Sequence, residues 1–210
     1  MKLYSALYKS DDPFAIFDSV DGVIYPHQLK EGGVLLLHGG ADISPAIYGQ
    51  KANKFCHADN TLSHRDTQEV ALVKRALELN MPIIGICRGA QLLCAMDGGI
   101  LVQHLVNHGG GNHPITDGRS VTKYESNSAH HQMLKPNKKH NNVILAMAET
   151  YVNGYEEDEV LREYDHVPEI VYFPKMNAIG IQGHPEWMPK SDFTKYCASL
   201  IQEFLIKDTK

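Results

Sequence analysis

The chain has 210 residues, of which 43% are hydrophobic, and its formal net charge is −5. These values favour one folded domain over residues 1–210, and they exclude an intrinsically disordered chain and a chain-wide electrostatic attraction to nucleic acid. No apolar run approaches the roughly 18 residues that a membrane span needs, and the first residues are too polar for a secretory signal, so neither a membrane segment nor a leader is expected.

Apolar runs in the first half of the chain predict the strands of a sheet. The clearest are residues 33–37 (GVLLL) and 82–86 (PIIGI), which are apolar throughout and therefore typical of strands buried on both faces. Residues 3–8 form a weaker strand candidate at the start of the chain.

Two helices alternate with these strands. Apolar side chains recur at helical spacing over residues 66–79, where Asp66 and Glu69 are spaced as in a capping box. A second helix is predicted over 90–96, directly after the strand 82–86 and a tight turn. The alternation of strand and helix predicts an α/β fold with a parallel sheet.

The middle of the chain is less regular. Residues 107–120 (NHGGGNHPITDGRS) are expected to be a loop because of their composition. The acidic run 155–165 is expected to be a solvated loop or helix face, and the alternative is a docking surface for a partner protein. Beyond it, strands are predicted at 169–173 and 178–182, and a last helix is expected to open at Pro189 and Ser191.

Residues 85–89 (GICRG) have the form of a nucleophile elbow, in which Cys87 occupies the sharp turn between a strand and a helix. The flanking glycines leave room for such a turn, and the N–H groups at the start of the helix favour a thiolate. The N–H of the next residue, Arg88, is positioned to receive an oxyanion. We therefore expect a nucleophile at this position; the alternative is a small buried core residue.

Two further segments carry groups that a nucleophile of this kind needs. His184 follows a predicted strand, and Glu186 stands two residues later with a Pro between them, so the pair is typical of a general base and the carboxylate that orients it. Gly39 and Gly40 follow the strand 33–37 and can turn backbone N–H groups toward an oxyanion. The alternative for this glycine pair is an ordinary β-turn.

Together these motifs resemble the class I glutamine amidotransferase-like superfamily. Within it the chain is most similar to the γ-glutamyl hydrolase branch (peptidase C26-like), which includes γ-glutamyl-γ-aminobutyrate hydrolase. The resemblance covers about residues 35–190. The matching segments are GGADISP (39–45) with YG (48–49), RDTQE (65–69), GICRGAQ (85–91), GGIL (98–101) with Gln103, SAHHQ (128–132) and QGHPE (182–186).

The resemblance implies a flavodoxin-like three-layer α/β sandwich with a mostly parallel central sheet and a small antiparallel element. It implies a catalytic triad of Cys87, His184 and Glu186, and an oxyanion hole formed by the backbone amides of Gly40 and Arg88. The implied reaction is hydrolysis of the γ-carboxamide bond of glutamine or a γ-glutamyl amide through a glutamyl thioester. The residues implied to bind the substrate are Gln91, Ser128, His130, His131 and Gln132.

Three functions are compatible with these motifs. The first is a freestanding hydrolase with a small-molecule γ-glutamyl substrate. The second is a glutaminase subunit that delivers ammonia to a synthetase on another chain. The third is a redox-sensing relative, which is disfavoured because a sensor needs no oriented base beside Cys87. The amine leaving group, the partner and the oligomeric state stay open.

The remaining signals are the 12 His and four Cys residues. A zinc site needs three or four convergent ligands. His104 and His108 are four residues apart, but the segment after Gly98 and Gly99 favours strand or loop over helix, so no metal and no cofactor are expected. The cysteines show no paired spacing, which favours a reducing, cytoplasmic compartment.

Overall fold

Strands and helices alternate over residues 33–96, as the apolar pattern predicts. The computed structural model describes residues 1–206, and none of the helices within that range is both long and apolar enough to cross a membrane. The strands are β1 (Lys2–Ala6), β2 (Ser19–Val23), β3 (Gly33–Leu37), β4 (Ile83–Ile86), β5 (Ile100–Val102), β6 (His104–Val106), β7 (Asn112–Asp117), β8 (Lys123–Asn127), β9 (Met133–Lys135), β10 (Val143–Ala148), β11 (Val152–Tyr155), β12 (Leu161–Tyr164), β13 (Val167–Phe173) and β14 (Ala178–Ile181). The helices are α1 (His64–Glu78), α2 (Arg88–Met96) and α3 (Asp192–Phe204).

Nine strands form one sheet in the order β2-β1-β3-β4-β14-β13-β10-β7-β8. The first five in this order run parallel to one another, and the other four extend the sheet in antiparallel pairs. Two small antiparallel sheets, β12-β11-β6 and β5-β9, lie beside it. The expected α/β fold with a mostly parallel central sheet and a small antiparallel element is confirmed.

Helices cover both faces of the sheet and make three layers. Leu35 and Leu37 of β3 belong to the same buried cluster as Leu72 of α1 and the apolar residues of α2. Val34 and Leu36 belong to the cluster on the opposite face, which contains the apolar side of α3. Because successive side chains of a strand point to opposite faces, a wholly apolar strand such as β3 can contribute to both cores.

Helix α1 begins two residues earlier than the sequence predicts, and its cap uses different residues. Ser63 is the N-cap: its Oγ accepts from the Asp66 N–H at 3.0 Å, and the Asp66 carboxylate accepts from the Ser63 N–H at 2.9 Å. The expected capping box of Asp66 with Glu69 is therefore wrong by one turn. The reason is that Glu69 is fully buried against Arg88 and is not free to cap a helix end.

The prediction of a loop over 107–120 is wrong for its middle, residues 112–117, which form β7, while the residues on either side are turn or irregular. This strand pairs with β8 on one side and β10 on the other. Ile115 is fully buried, and Thr116 and Asp117 are buried beside it. The Gly, Asn and Pro content of the segment resembles a turn, and the partners that make it a strand lie elsewhere in the sequence.

The acidic run 155–165 lies in a β-hairpin made by β11 and β12. Residues 156–160, which carry four of its six acids, form the largely exposed turn between the two strands, as the expected solvated loop requires, whereas Leu161–Tyr164 form β12. The charges of the run are partly neutralised by neighbours. Asp158 accepts from Arg162 Nη1 at 2.7 Å, and Glu156 accepts from Lys135 Nζ at 2.6 Å. Docking of a partner on this hairpin stays a prediction.

The last three elements follow the sequence closely. β13 and β14 pair in antiparallel fashion around the short 3₁₀ turn Pro174–Met176. Ser191 caps α3, because its Oγ accepts from the Thr194 N–H at 3.1 Å. β14 pairs in parallel with β4, so the ends of the two strands that precede Cys87 and His184 meet at the same edge of the sheet.

Candidate active site

Cys87 occupies the sharp turn between β4 and α2. Its backbone φ of 49° and ψ of −105° fall outside the regions that L-residues normally adopt, so the turn holds local strain, as a nucleophile elbow does. A Cβ on Gly85 would lie 2.5 Å from the carbonyl carbon of Gly89, so glycine at 85 is what lets α2 start this close to the strand. Only 5% of Cys87 is exposed.

His184 follows β14, and the 3₁₀ turn Pro185–Trp187 brings Glu186 back toward its ring. The His184 Nδ1 donates to Oε1 of Glu186 at 2.6 Å. Asn127 fixes the backbone of His184, accepting from its N–H at 2.7 Å and donating to its carbonyl at 2.9 Å. The Trp187 ring stacks on the imidazole at a centroid distance of 3.8 Å. These contacts hold the ring in one orientation and leave Nε2 for the cysteine.

The protonation of His184 is set by three competing effects. Burial lowers the pKa of His184, but its contacts with the Cys87 and Glu186 side chains raise that pKa to about 9. The ring is therefore an imidazolium at neutral pH when a thiolate and a carboxylate face it. A cysteine site that cleaves an amide needs this state, because the departing nitrogen must receive a proton.

Cys87 and His184 share one open cavity of about 340 Å³. A Cβ on Gly39 would lie 2.5 Å from Cε1 of His184, so only glycine lets this loop approach the ring so closely. Gly40 also lines the cavity, and Arg88 begins α2, where backbone N–H groups have no acceptor within the helix. The oxyanion-hole role of these two amides stays a prediction. The other lining residues are Tyr8, Ala129, Glu186 and Trp187.

A buried charge network lies under the elbow, and the sequence reasoning did not identify it. The Arg88 side chain turns away from the cavity and forms ion pairs with Asp66 and Glu69, all three being almost fully buried. Arg65 donates to Glu69 at 3.0 Å and to the carbonyl of Gly39 at 3.0 Å. The network joins α1, the elbow and the glycine loop. The signal in the sequence is the spacing of three charged residues in the first turns of α1, Arg65, Asp66 and Glu69.

The side chains of the residues expected to bind substrate do not line this cavity. Ser128 donates to the His108 carbonyl at 2.7 Å, and Gln132 donates to Asp42 at 3.0 Å. Gln91 is buried in α2. From the segment 128–132, only Ala129 is at the cavity wall.

The two histidines of this segment face in different directions, and neither bonds to a cavity residue. His131 Nε2 lies 3.0 Å from Asp42 Oδ1, and His130 Nδ1 donates to the Gln132 carbonyl at 2.9 Å. Their roles in substrate binding, with those of Gln91, Ser128 and Gln132, stay predictions.

Two groups of side chains have the geometry of metal ligands, although no metal is expected from the sequence. Both combine histidines with one carboxylate, and both lie outside the cavity at Cys87. One is exposed in part and the other is deeply buried. The groups are Asp42 with His57 and His131, and Glu169 with His108 and His130.

Comparison with known proteins places the chain in a family. The model of the family described as Peptidase C26 matches residues 13–186. The glutamine amidotransferase-like protein YvdE of Lactococcus lactis subsp. lactis is 46% identical over 71 residues, which are 34% of this chain and 29% of that protein. The carbamoyl phosphate synthase small chain of Pectobacterium atrosepticum is 25% identical over 170 residues, which are 77% of this chain and 34% of that protein. The matched part of the chain thus spans about a third of the length of these relatives.

Solved structures support the fold. The crystal structure of a glutamine amidotransferase from Thermotoga maritima aligns with 97% of this chain and 92% of its own, with a TM-score of 0.53. The identity over this alignment is 12%, so the likeness concerns the fold alone. It agrees with a parallel sheet covered by helices on both faces.

Proposed function

The chain belongs to the peptidase C26 family, and on that premise we propose that it hydrolyses the γ-carboxamide bond of glutamine or of a γ-glutamyl amide. The family match and the amidotransferase-like relatives indicate a hydrolase that acts on amide C–N bonds. One observation carries the proposal. Cys87, on a strained strand-to-helix turn, shares a cavity with His184, whose ring is held by Glu186.

In the proposed reaction the Cys87 thiolate attacks the carboxamide carbon, and the carbonyl oxygen takes the negative charge. The N–H groups of Gly40 and Arg88 are the proposed donors to that oxyanion; a donor of this kind is typically worth 10²–10³ in rate. His184 gives its proton to the departing nitrogen as the C–N bond breaks. A glutamyl thioester and a free amine or ammonia result.

The second half of the reaction restores the thiol site. The imidazole, now neutral, takes a proton from a water molecule, and the hydroxide attacks the thioester carbon. The C–S bond breaks, glutamate leaves, and the proton on His184 stays beside the regenerated Cys87 thiolate. Glu186 keeps the same ring nitrogen protonated throughout, so the other nitrogen can accept and donate.

The cavity supports a small substrate with a solvent-facing leaving group. Its wall includes Tyr8 and Trp187, which are 53% and 62% exposed and so stand at its mouth. An amine larger than ammonia can extend past them into solvent. For the side chains of Ser128 and Gln132 to bind the substrate, their present hydrogen bonds to the His108 carbonyl and to Asp42 must break.

A second candidate is a glutaminase subunit that passes ammonia to a synthetase on a separate chain. The observation that favours it is the likeness to a protein named as the small chain of carbamoyl phosphate synthase, over 77% of this chain. The catalytic residues are the same in both proposals. They differ in whether the purified chain turns over γ-glutamyl amides without a partner.

The test is release of glutamate and of ammonia or amine by the purified protein, with glutamine and a series of γ-glutamyl amines as substrates. We expect turnover that Cys87→Ala reduces below detection and that Cys56→Ala leaves intact, because the thiol at 56 lies outside the cavity. A Cys87→Ala protein that remains folded and fully active contradicts the proposal. Turnover of glutamine that appears only with an added synthetase favours the second candidate.

A further inference from the structure

A second polar cluster is buried in the antiparallel half of the molecule and takes no part in the proposed reaction. Glu169 on β13 is 1% exposed at its side chain, and three imidazoles surround it. His113 comes from β7, while His108 and His130 come from the segments that precede β7 and follow β8. The side chains of the last two are 5% and 0% exposed.

The distances within this cluster are of two kinds. His113 Nε2 lies 3.0 Å from Glu169 Oε1, which is an ordinary hydrogen bond. His108 Nε2 and His130 Nε2 lie 3.5 and 3.7 Å from the same oxygen. These two separations are long for a hydrogen bond. They are close to the distance of about 3.4 Å between neighbouring ligand atoms around a tetrahedral zinc ion with bonds of about 2.0–2.1 Å.

Several polar atoms of the cluster have no hydrogen-bond partner within the described part of the chain, although they are buried. They are the Nε2 atoms of His108 and His130 and the Oε2 atom of Glu169. Burying such groups unpaired costs about 1–3 kcal/mol each, so a buried cluster with three of them is incomplete without a further group.

The hydrogen bond of His130 shows which of its nitrogens is free. Its Nδ1 donates to the carbonyl of Gln132 at 2.9 Å. In the neutral ring the proton is therefore on Nδ1, and the lone pair of Nε2 points at the Glu169 carboxylate. A lone pair facing a carboxylate is repulsive, whereas a metal ion between them attracts both. Metal-bound imidazoles commonly donate their other N–H to a carbonyl in this way.

We propose that His108, His130 and Glu169 bind a divalent metal ion of the zinc class. Two imidazoles and one carboxylate are a ligand set that Zn²⁺ accepts, with the fourth position of the tetrahedron left for water. A cavity of about 540 Å³ lined by His108 and His113 gives the ion a route from solvent. The proposal is independent of the reaction at Cys87.

None of these three ligands lines the cavity at Cys87, so the expected effect of a bound ion is on structure. Its ligands lie next to the contacts that hold the catalytic histidine. Ser128 donates to the carbonyl of His108, and the Gln182 N–H donates to the carbonyl of Glu169 at 2.8 Å. Asn127, which holds both backbone polar groups of His184, directly precedes Ser128. A bound ion therefore fixes the segment that positions His184 without touching the reacting atoms.

The direct test titrates the metal-stripped full chain with Co²⁺, which reports coordination in its visible spectrum, and then displaces it with Zn²⁺. A Cys87→Ser chain is used alongside the wild type to exclude binding at the nucleophile. We expect one equivalent per chain in both proteins, with a strong tetrahedral spectrum and no thiolate charge-transfer band. Absence of binding, an octahedral spectrum or a thiolate band in the wild type that is lost in Cys87→Ser overturns the proposal.

Variants locate the ion. His130→Ala and His108→Ala should each weaken Co²⁺ binding at least tenfold, whereas His57→Ala, in the other candidate group, should leave it unchanged. Loss of binding with His57→Ala and not with His130→Ala assigns the ion to Asp42, His57 and His131 and overturns the proposal. If the buried variants do not fold, X-ray absorption of the zinc-loaded wild type decides. Fewer than two imidazole ligands, or any sulfur ligand, contradicts the site.

Discussion

Two buried glutamates, Glu69 and Glu169, lie outside the cavity of the proposed catalytic pair Cys87 and His184, and their surroundings differ. Glu69, on α1, is fully buried and meets two permanent cations, the guanidinium groups of Arg88 and Arg65. Glu169, on β13, is equally buried, and within residues 1–206 its carboxylate pairs only with imidazoles, which are charged only when they bind a proton.

The difference shows two ways of burying a carboxylate. Glu69 is neutralised by arginines of the chain, whereas the Glu169 cluster keeps unpaired polar atoms that require a further group. The network of Glu69 and Asp66 with Arg65 and Arg88, called here the Glu69 side, is neutralised by the chain alone, so its stability should not depend on added ions. The Glu169 side leaves one carboxylate oxygen and two ring nitrogens unpaired within residues 1–206, so it should respond to a metal. The following experiments test this contrast.

The largest expected effect is at the Glu69 side. Arg88→Leu leaves two buried carboxylates without their main cation, and we expect a loss of about 3–5 kcal/mol in the free energy of unfolding. Arg75→Ala is the matched control, because its ion pair with Glu78 is exposed and should contribute about 0–1 kcal/mol. Urea unfolding measures both. Equal midpoints for Arg88→Leu and wild type would show that the network does not stabilise the elbow.

The pH profile examines the proposed catalytic pair, Cys87 and His184. The pKa of His184 is raised to about 9, so the ring loses its proton, and with it the ability to protonate the leaving nitrogen, as the pH rises through that value. We expect kcat/KM to fall on the alkaline side near pH 9. Glu186→Gln removes one cause of the raised pKa and should move this fall toward 6.5, the ordinary value for imidazole. An alkaline limb that Glu186→Gln does not move contradicts the assigned contact.

Metal removal probes the Glu169 side. With free Zn²⁺ at about 100 times its dissociation constant, the wild type should gain about 2.7 kcal/mol of stability, and a chelator should remove the gain. Arg88→Leu, although less stable throughout, should gain the same amount if the two sides are independent. Thermal unfolding with and without chelator measures this. Unfolding midpoints that do not respond to zinc would show that the surroundings of Glu169, like those of Glu69, need no metal ion.

The smallest expected effect is at the start of α1, the helix that presents Glu69. Ser63→Ala removes the N-cap and should cost about 1 kcal/mol. Ser120→Ala is the control, because Ser120 is exposed and its hydroxyl donates to the neighbouring Thr122 hydroxyl. A loss as large as that of Arg88→Leu would mean that the cap and the ion pairs form one cooperative unit.

The two sides also differ in how far the sequence predicts them. The elbow at Cys87 and the pair His184 and Glu186 are short motifs that follow apolar strands, so spacing alone predicts their local geometry. Spacing does not predict that β4 and β14 are neighbours in the sheet. Only the fold that the family resemblance implies places them side by side.

The Glu169 cluster could not be predicted, because its members are far apart in the sequence. His113 lies in a segment whose composition resembles a loop, and Glu169 is only the start of an apolar run. Only the pairing of β7 with β8 and β10, and of β10 with β13, brings them together. The ion pairs of Arg88 were missed for the same reason, because they join two elements.

The central claim is that Cys87 is the nucleophile, and mass spectrometry after brief exposure to an electrophilic analogue of glutamine tests it most directly. Burial raises the pKa of the thiols of Cys56, Cys94 and Cys197, so these stay protonated and should not react. We predict one adduct per chain, on Cys87, which excess glutamine prevents from forming. An adduct on another cysteine, or no adduct while turnover continues, would contradict the account.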